Sequence, residues 1–318
     1  MNFADRSALD YLVSHQLRAW PAHLRLLESS FQDRSETVLD VSEQLAAAIL
    51  QLAPTNTGGL MAMCEDYRYM CEEIFMPEEI HFRRHGSYRL ASFAEANAAC
   101  YANPVLMSRY MNGLLLSNVM WSNHANAFAF FCNEFLPHLP PGAQHLEIGP
   151  GHGLLLYFAA NCPQVASITG WDISPTSVDK TRIALQTLGA PLQPSLVLQD
   201  MFIASQPEPD AGFDSLVMSE ILEHLEDPVT ALRSAARAVK PGGLVYINVP
   251  ANSPAPDHIF LFKGLAHVES LVREAGLAVI ESRAYPMSGT SLQRAEKHKL
   301  TVTCVLIAQL PPADTTVA

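Results

Sequence analysis

Apolar positions follow two rhythms along this chain, and the change falls near residue 140. Up to about residue 75 they recur at three- and four-residue spacing, as in ALDYLVSHQLRAWPAHLRLLESS and DVSEQLAAAILQLA. That spacing predicts amphipathic helices, with Pro21 breaking or restarting the first and Asp40 or Ser42 capping the second. IHFRRHGSYRLASFAEAN alternates around His85, Gly86 and Ser87 and predicts a short hairpin or wing before the next helix. Residues 104–136 return to a long apolar helical pattern, and Pro140, Pro141 and Gly142 then punctuate the chain as a linker.

Beyond the linker, QHLEI, SITGWD, PSLVLQD, FDSLVM, GLVYINV, AVIESRAY and LTVTCVLIAQL read as strands. Helical stretches lie between them, such as DPVTALRSAARAVK, with Asp227 as N-cap and Pro228 in the first turn. Alternation of this kind predicts an α/β fold: a doubly wound, mostly parallel seven-stranded sheet with an N-terminal, mainly helical cap. The expected division is 1–139 for the cap and 140–318 for the sheet domain. The last two strands flank PMSGTSLQRAEKHK, which shows little helical pattern, so antiparallel pairing stays open there. The PPADTTVA tail is expected to be loose.

Bulk properties narrow the partners. The chain has 318 residues, 49% of them hydrophobic and 16% charged, with a formal net charge of -12. This composition describes a folded globular protein. It argues against nucleic acid or an anionic membrane surface, because phosphate binding needs clustered positive charge. A small-molecule acceptor fits better. Six cysteines without a CxxC pair read as reduced thiols. MNFADRSALDYLV has an early acid and no apolar core, and no long apolar run follows, so a cytoplasmic protein without a membrane span is expected.

Candidate chemistry concentrates in two short runs. HLEIGPGHG is a strand entering a glycine-rich turn and then an apolar helix, so the backbone can approach a ligand closely. The dinucleotide fingerprint would need glycine where Leu154 stands. The pattern present is acid-x-G-x-G-x-G, formed by Glu147, Gly149, Gly151 and Gly153, and its carboxylate suits a cationic ligand. The second run is SEILEHLEDP, where Glu220, Glu223 and His224 share one face if the turn is helical. Two carboxylates and an imidazole form a hard-to-borderline donor set for Mg, Mn, Fe or Zn. His258 in PAPDHIFLF offers a fourth ligand. Without a metal, the same turn reads as a packed His and a capping acid.

The glycine loop resembles motif I of the class I S-adenosylmethionine-dependent methyltransferases, a Rossmann-like family. The resemblance covers about residues 140–310. It implies that Asp172, with Ile173 beside it, holds the cofactor ribose, that Asp200 contacts the adenine amine with Met201 and Phe202 beside the ring, and that Ser219 lines the donor pocket. The E-x-x-E-H run with a later His is similar to that of metal-binding methyltransferases, namely small-RNA 2′-O- and ubiquinone-pathway O-methyltransferases. It implies a divalent ion on Glu220, Glu223, His224 and His258.

A chelated 2-oxo acid becomes more acidic at C3, and its enolate carbon can take a methyl. Metal-assisted C-methylation of such an acid, as in pathways of secondary metabolism, is therefore the first expectation. The layout loosely resembles 2-oxo-acid C-methyltransferases. O-methylation of a phenol or hydroxyl acid is the alternative, and a non-catalytic binding protein a third. His224 and His124 are the catalytic candidates, although a lone His on an apolar helix is ordinarily a packed core residue. Tyr110, Met111 and Trp121, at helical spacing, are candidate acceptor-pocket residues, with core packing the default for such a pattern, and the cap offers a surface for a homodimer. Arg83, Arg84, His85 and Arg89 form either a solvated hairpin or a carboxylate clamp.

Overall fold

The computed structural model describes residues 3, 5–203 and 212–312. The C-terminal part of the expected loose tail, 313–318, lies outside the described residues. The chain divides into two compact units: Met1–Phe130 with Pro250–Leu261 and Ala284–Thr303, and Phe131–Val249 with Phe262–Arg283 and Cys304–Ala318. Two short segments of the C-terminal half are thus grouped with the N-terminal helices.

The helical unit opens with α1 (Ser7–Ala19), α2 (Leu24–Gln32), α3 (Glu36–Leu52), α4 (Gly59–Tyr69), α5 (Met76–His85), α6 (Phe93–Ala96), α7 (Pro104–Met120) and α8 (Ser122–Phe130). The apolar stripes meet as their spacing predicts, burying Leu9, Leu12, Leu27, Leu45, Ile49, Met63 and Tyr67. Pro21 does separate the first two helices, opening a short 3-10 turn at Pro21–His23. The cap of α3 is Ser35, whose hydroxyl accepts from Val38 N–H. Neither Asp40 nor Ser42 plays that part; Ser42 sits inside the helix and donates back to the Val38 carbonyl.

The expected hairpin is absent. Arg83, Arg84 and His85 form the last turn of α5, and Gly86 ends it at φ 71° with its N–H on the Phe82 carbonyl. Basic residues followed by glycine are a helix C-terminus, and the polar face of α5 imitated strand alternation. Ser92 and Glu95 then form a capping box.

From residue 143 the chain follows the expected order: β1 (Ala143–Ile148), α9 (Leu154–Ala160), β2 (Val165–Asp172), α10 (Pro175–Thr187), β3 (Ser195–Leu198), β4 (Phe213–Ser219), α11 (Pro228–Ala236), β5 (Val239–Ala251), α12 (Leu265–Glu274), β6 (Ala278–Pro286), α13 (Leu292–His298) and β7 (Val302–Gln309), with α13 inside the Ala284–Thr303 segment grouped with the N-terminal helices. Strand order is β3-β2-β1-β4-β5-β7-β6. The pairs β1–β2, β1–β4, β2–β3 and β4–β5 are parallel, so β1 and β4 occupy the middle of the sheet. β7 runs antiparallel to β5, because Leu310 exchanges hydrogen bonds with Gly242 and Gly243 while Thr301 reaches Asn252. Asp227 caps α11, accepting from Thr230 N–H at 3.0 Å. The unexpected element is α13, capped by Ser291. Among the described residues no helix is long and apolar enough to cross a membrane.

Candidate functional site

Four loops follow the carboxyl ends of β1, β2, β3 and β4, where open parallel sheets bind ligands. After β1 the backbone turns on Gly149, Gly151 and Gly153 at φ 67°, 51° and 75°, a region only glycine enters without strain. Gly149 N–H donates to the Trp171 carbonyl at 2.7 Å, and buried Thr181 donates its hydroxyl to the Gly151 carbonyl at 2.8 Å. A Cβ on Gly149 would stand 2.3 Å from Ile221 Cδ1. The glycine therefore lets the E-x-x-E-H turn pack directly against this loop.

Glu147 is 3% exposed, and its Oε2 has no hydrogen-bond partner. Burial pushes its carboxyl up to about 8, opposed by an N–H from Leu156. A buried carboxylate oxygen with spare capacity beside a glycine cradle fits the ammonium-bearing end of S-adenosylmethionine. Of the acids expected on the cofactor, Asp172 is half-buried and orders its own turn, accepting from Ser174 N–H at 2.8 Å and Ser177 Oγ–H at 2.6 Å. Ile173 beside it is exposed. Asp200 accepts from Phe202 N–H at 2.8 Å; Met201 is buried, its carbonyl accepting from Ser234, and Phe202 lies exposed. Both acids thus shape their loops, and each carboxylate retains further acceptor capacity.

The fourth loop starts at Ser219, whose Oγ accepts from Asn248 Nδ2 at 3.0 Å. Glu220 follows at φ 54°, with its N–H on the Asn248 carbonyl. Only Leu222–His224 forms a helical turn, of the tight 3-10 kind. Glu220 lies outside this turn, in the left-handed region, so the single helical face expected for Glu220, Glu223 and His224 does not form. Glu223 is fully buried, and its Oε1 lies 3.7 Å from His224 Nε2. A carboxylate and an imidazole this close can share a cation or a proton.

Asn248 escaped sequence reasoning. It is 8% exposed, and its Oδ1 has no partner. The signal available was an asparagine inside the apolar strand GLVYINV.

In the helical unit, His258 is buried and its Nδ1 meets the Ser253 carbonyl at 2.7 Å. His124 Nδ1 lies 3.0 Å from Ser117 Oγ, and Trp121 packs edge-on against its ring. Loss of water around the ring pulls its pKa down to about 4, so it is a neutral base of low strength. Trp121 donates to Tyr67, and Tyr110 donates to Asp257. Arg83 binds Glu79 and the His298 carbonyl, while Arg89 binds Glu78.

A family model described as a methyltransferase domain matches residues 120–299. A ubiquinone biosynthesis O-methyltransferase of Xanthomonas campestris pv. campestris is 30% identical over 43% of this chain and 60% of its own. One from Albidiferax ferrireducens is 33% identical over 38% of this chain and 47% of its own. The chain thus spans about 60% of the length of the first of these curated relatives. The crystal structure of the S-adenosylmethionine-dependent methyltransferase SibL, in its apo form, covers 96% of this chain and 99% of its own, with a TM-score of 0.55 at 17% identity. That likeness establishes the fold: the class I S-adenosylmethionine-dependent methyltransferase fold.

Proposed function

We propose, from the premise that this chain belongs to the methyltransferase-domain family, that it methylates a small oxygen-bearing acceptor beside a divalent-metal site on the Ser219–His224 turn. The observation carrying this is the buried Glu223 beside His224 on a turn whose Ile221 packs against Gly149 of the cofactor loop. In this reading Glu147, Gly149, Gly151, Gly153, Asp172, Ile173, Asp200, Met201, Phe202 and Ser219 hold S-adenosylmethionine. Glu220, Glu223, His224 and His258 hold the ion.

The sulfonium leaves as a neutral thioether, so the enzyme's task is to position a deprotonated nucleophile rather than to supply an acid. A divalent ion would supply Lewis acidity, lowering the pKa of whatever acceptor group binds it. The finer reading is C-methylation at C3 of a 2-oxo acid, whose vicinal oxygens match a hard-to-borderline donor set. His124, neutral near pH 7, takes the acceptor proton, and the helical unit shapes the acceptor site. The second reading is O-methylation of a phenol or hydroxyl acid; the printed names of the relatives favour it.

Proton exchange separates the two. Protein, metal and S-adenosylhomocysteine in heavy water should exchange the C3 protons of a 2-oxo acid faster than metal alone. The acceleration should vanish in His224→Ala and slow in His124→Ala. No enzyme-dependent exchange with any 2-oxo acid, together with methylation of a hydroxyl acceptor, would establish the second reading.

A further inference from the structure

We infer that Tyr101, Tyr110 and Asp257 are positioning residues that fix the His258 segment as a ligand arm for the metal. This rests on the metal site proposed above. Between Asn252 and Leu261 the chain has no regular secondary structure, yet Asp257 is 3% and His258 6% exposed. Irregular backbone can be buried only if its polar groups find partners. Here side chains of the helical unit provide them. Tyr88 Oη accepts from Ser253 N–H at 3.0 Å, and the Cys100 thiol donates to the Pro256 carbonyl at 3.3 Å. The hydroxyls of Tyr101 and Tyr110 donate to Oδ2 and Oδ1 of Asp257, each at 3.1 Å.

Cys100 and Tyr101 both come from one π-helical turn, Asn97–Tyr101, a helix irregularity frequent at functional sites. Burial holds the Tyr110 hydroxyl well above its ordinary pKa, so it stays a donor. A buried carboxylate held by two phenols costs desolvation that an apolar side chain in its place would avoid. What the arrangement gains is a fixed backbone one residue before His258.

The imidazole itself is set in the same way. A carbonyl only accepts, so His258 Nδ1 carries the proton donated to Ser253. That leaves Nε2 as the nitrogen that would face a metal, and a ligating histidine ordinarily has its second nitrogen tied in this way to a carbonyl.

The test uses the full chain, stripped of metal and titrated with cobalt(II), with visible absorption read alongside affinity. Titration with S-adenosylhomocysteine checks that each variant is folded. Tyr101→Phe and Tyr110→Phe keep the rings and remove the hydroxyls. Each should bind cobalt about tenfold more weakly with an altered absorption band, while binding S-adenosylhomocysteine as the wild type does. His258→Ala should lose more. Wild-type affinity and spectrum in both tyrosine variants, with loss in His258→Ala, would overturn the positioning role alone. Unchanged cobalt binding in His258→Ala with loss in Glu223→Gln would also overturn it, leaving a metal site without His258. No cobalt bound by the wild type would remove the metal reading and this inference together.

Discussion

The sheet unit and the helical unit place their polar side chains by different means. In the sheet unit, position follows from the backbone: strand register sets Glu147 opposite Gly170 and Val217, and left-handed glycines turn the chain just beyond. In the helical unit, polar groups are held by side chains distant in sequence. Arg34 is 8% exposed and donates to Ser30, to Ser42 and to the Val119 carbonyl. Its partners are neutral, and burial pulls its pKa down to about 9. Its guanidinium also lies over the Phe31 ring at 3.9 Å. Backbone-set sites should therefore fail through strain, and side-chain networks through unsatisfied groups.

The largest expected effect lies in the helical unit. Arg34→Ala leaves two buried hydroxyls and two carbonyls short of a donor, which should cost about 3 kcal/mol or more of unfolding free energy. Denaturant unfolding followed by circular dichroism measures this; a change within about 0.5 kcal/mol, the range of ordinary surface substitutions, would break the contrast.

Next comes Gly149→Ala in the sheet unit. The left-handed φ costs on the order of 1–3 kcal/mol for a non-glycine residue, and the new Cβ meets Ile221. S-adenosylhomocysteine affinity should fall accordingly. Ile221→Ala in the same chain should restore the part due to the clash, while the backbone part remains. Full restoration would mean that conformation is not what holds the loop.

A smaller effect appears in pH. Glu147 titrates near 8 when folded against 4.5 as the ordinary value. Between these values the folded chain binds the proton that the unfolded chain has released. Stability should therefore be fully present below about 4.5, decline as pH rises, and level off above about 8. A cationic ligand favours the ionised carboxylate, so cofactor binding in that window should release a proton. Calorimetry of S-adenosylhomocysteine binding in buffers of different ionisation enthalpy reads this directly. Glu147→Gln should abolish the release, and an identical release in the variant would assign it elsewhere.

The same contrast explains what could be read in the sequence. All seven strands stand out as apolar or alternating runs, and the glycine loop is contiguous, so the grouping of Glu147 with the three glycines was legible from residues 145–153 alone. The β5–β7 direction was not, because pairing depends on residues as far apart as Gly242 and Leu310. LQRAEKH of α13 carries almost no apolar stripe, and helical periodicity had nothing to detect. The Asp257–Tyr101–Tyr110 contacts join residues about 150 positions apart and leave no local pattern. The backbone at Glu220 was not legible for a subtler reason: a left-handed non-glycine residue has no compositional signal.

The central claim is that the turn after β4 is a metal centre. Elemental analysis of protein purified without chelators tests it most directly, comparing the wild type with Glu223→Gln and His224→Ala. The account predicts about one divalent ion per folded wild-type chain, as convergent ligands favour a single site, and a large loss in both variants with S-adenosylhomocysteine binding retained. A wild-type protein without metal, or variants that keep the full complement, would contradict it.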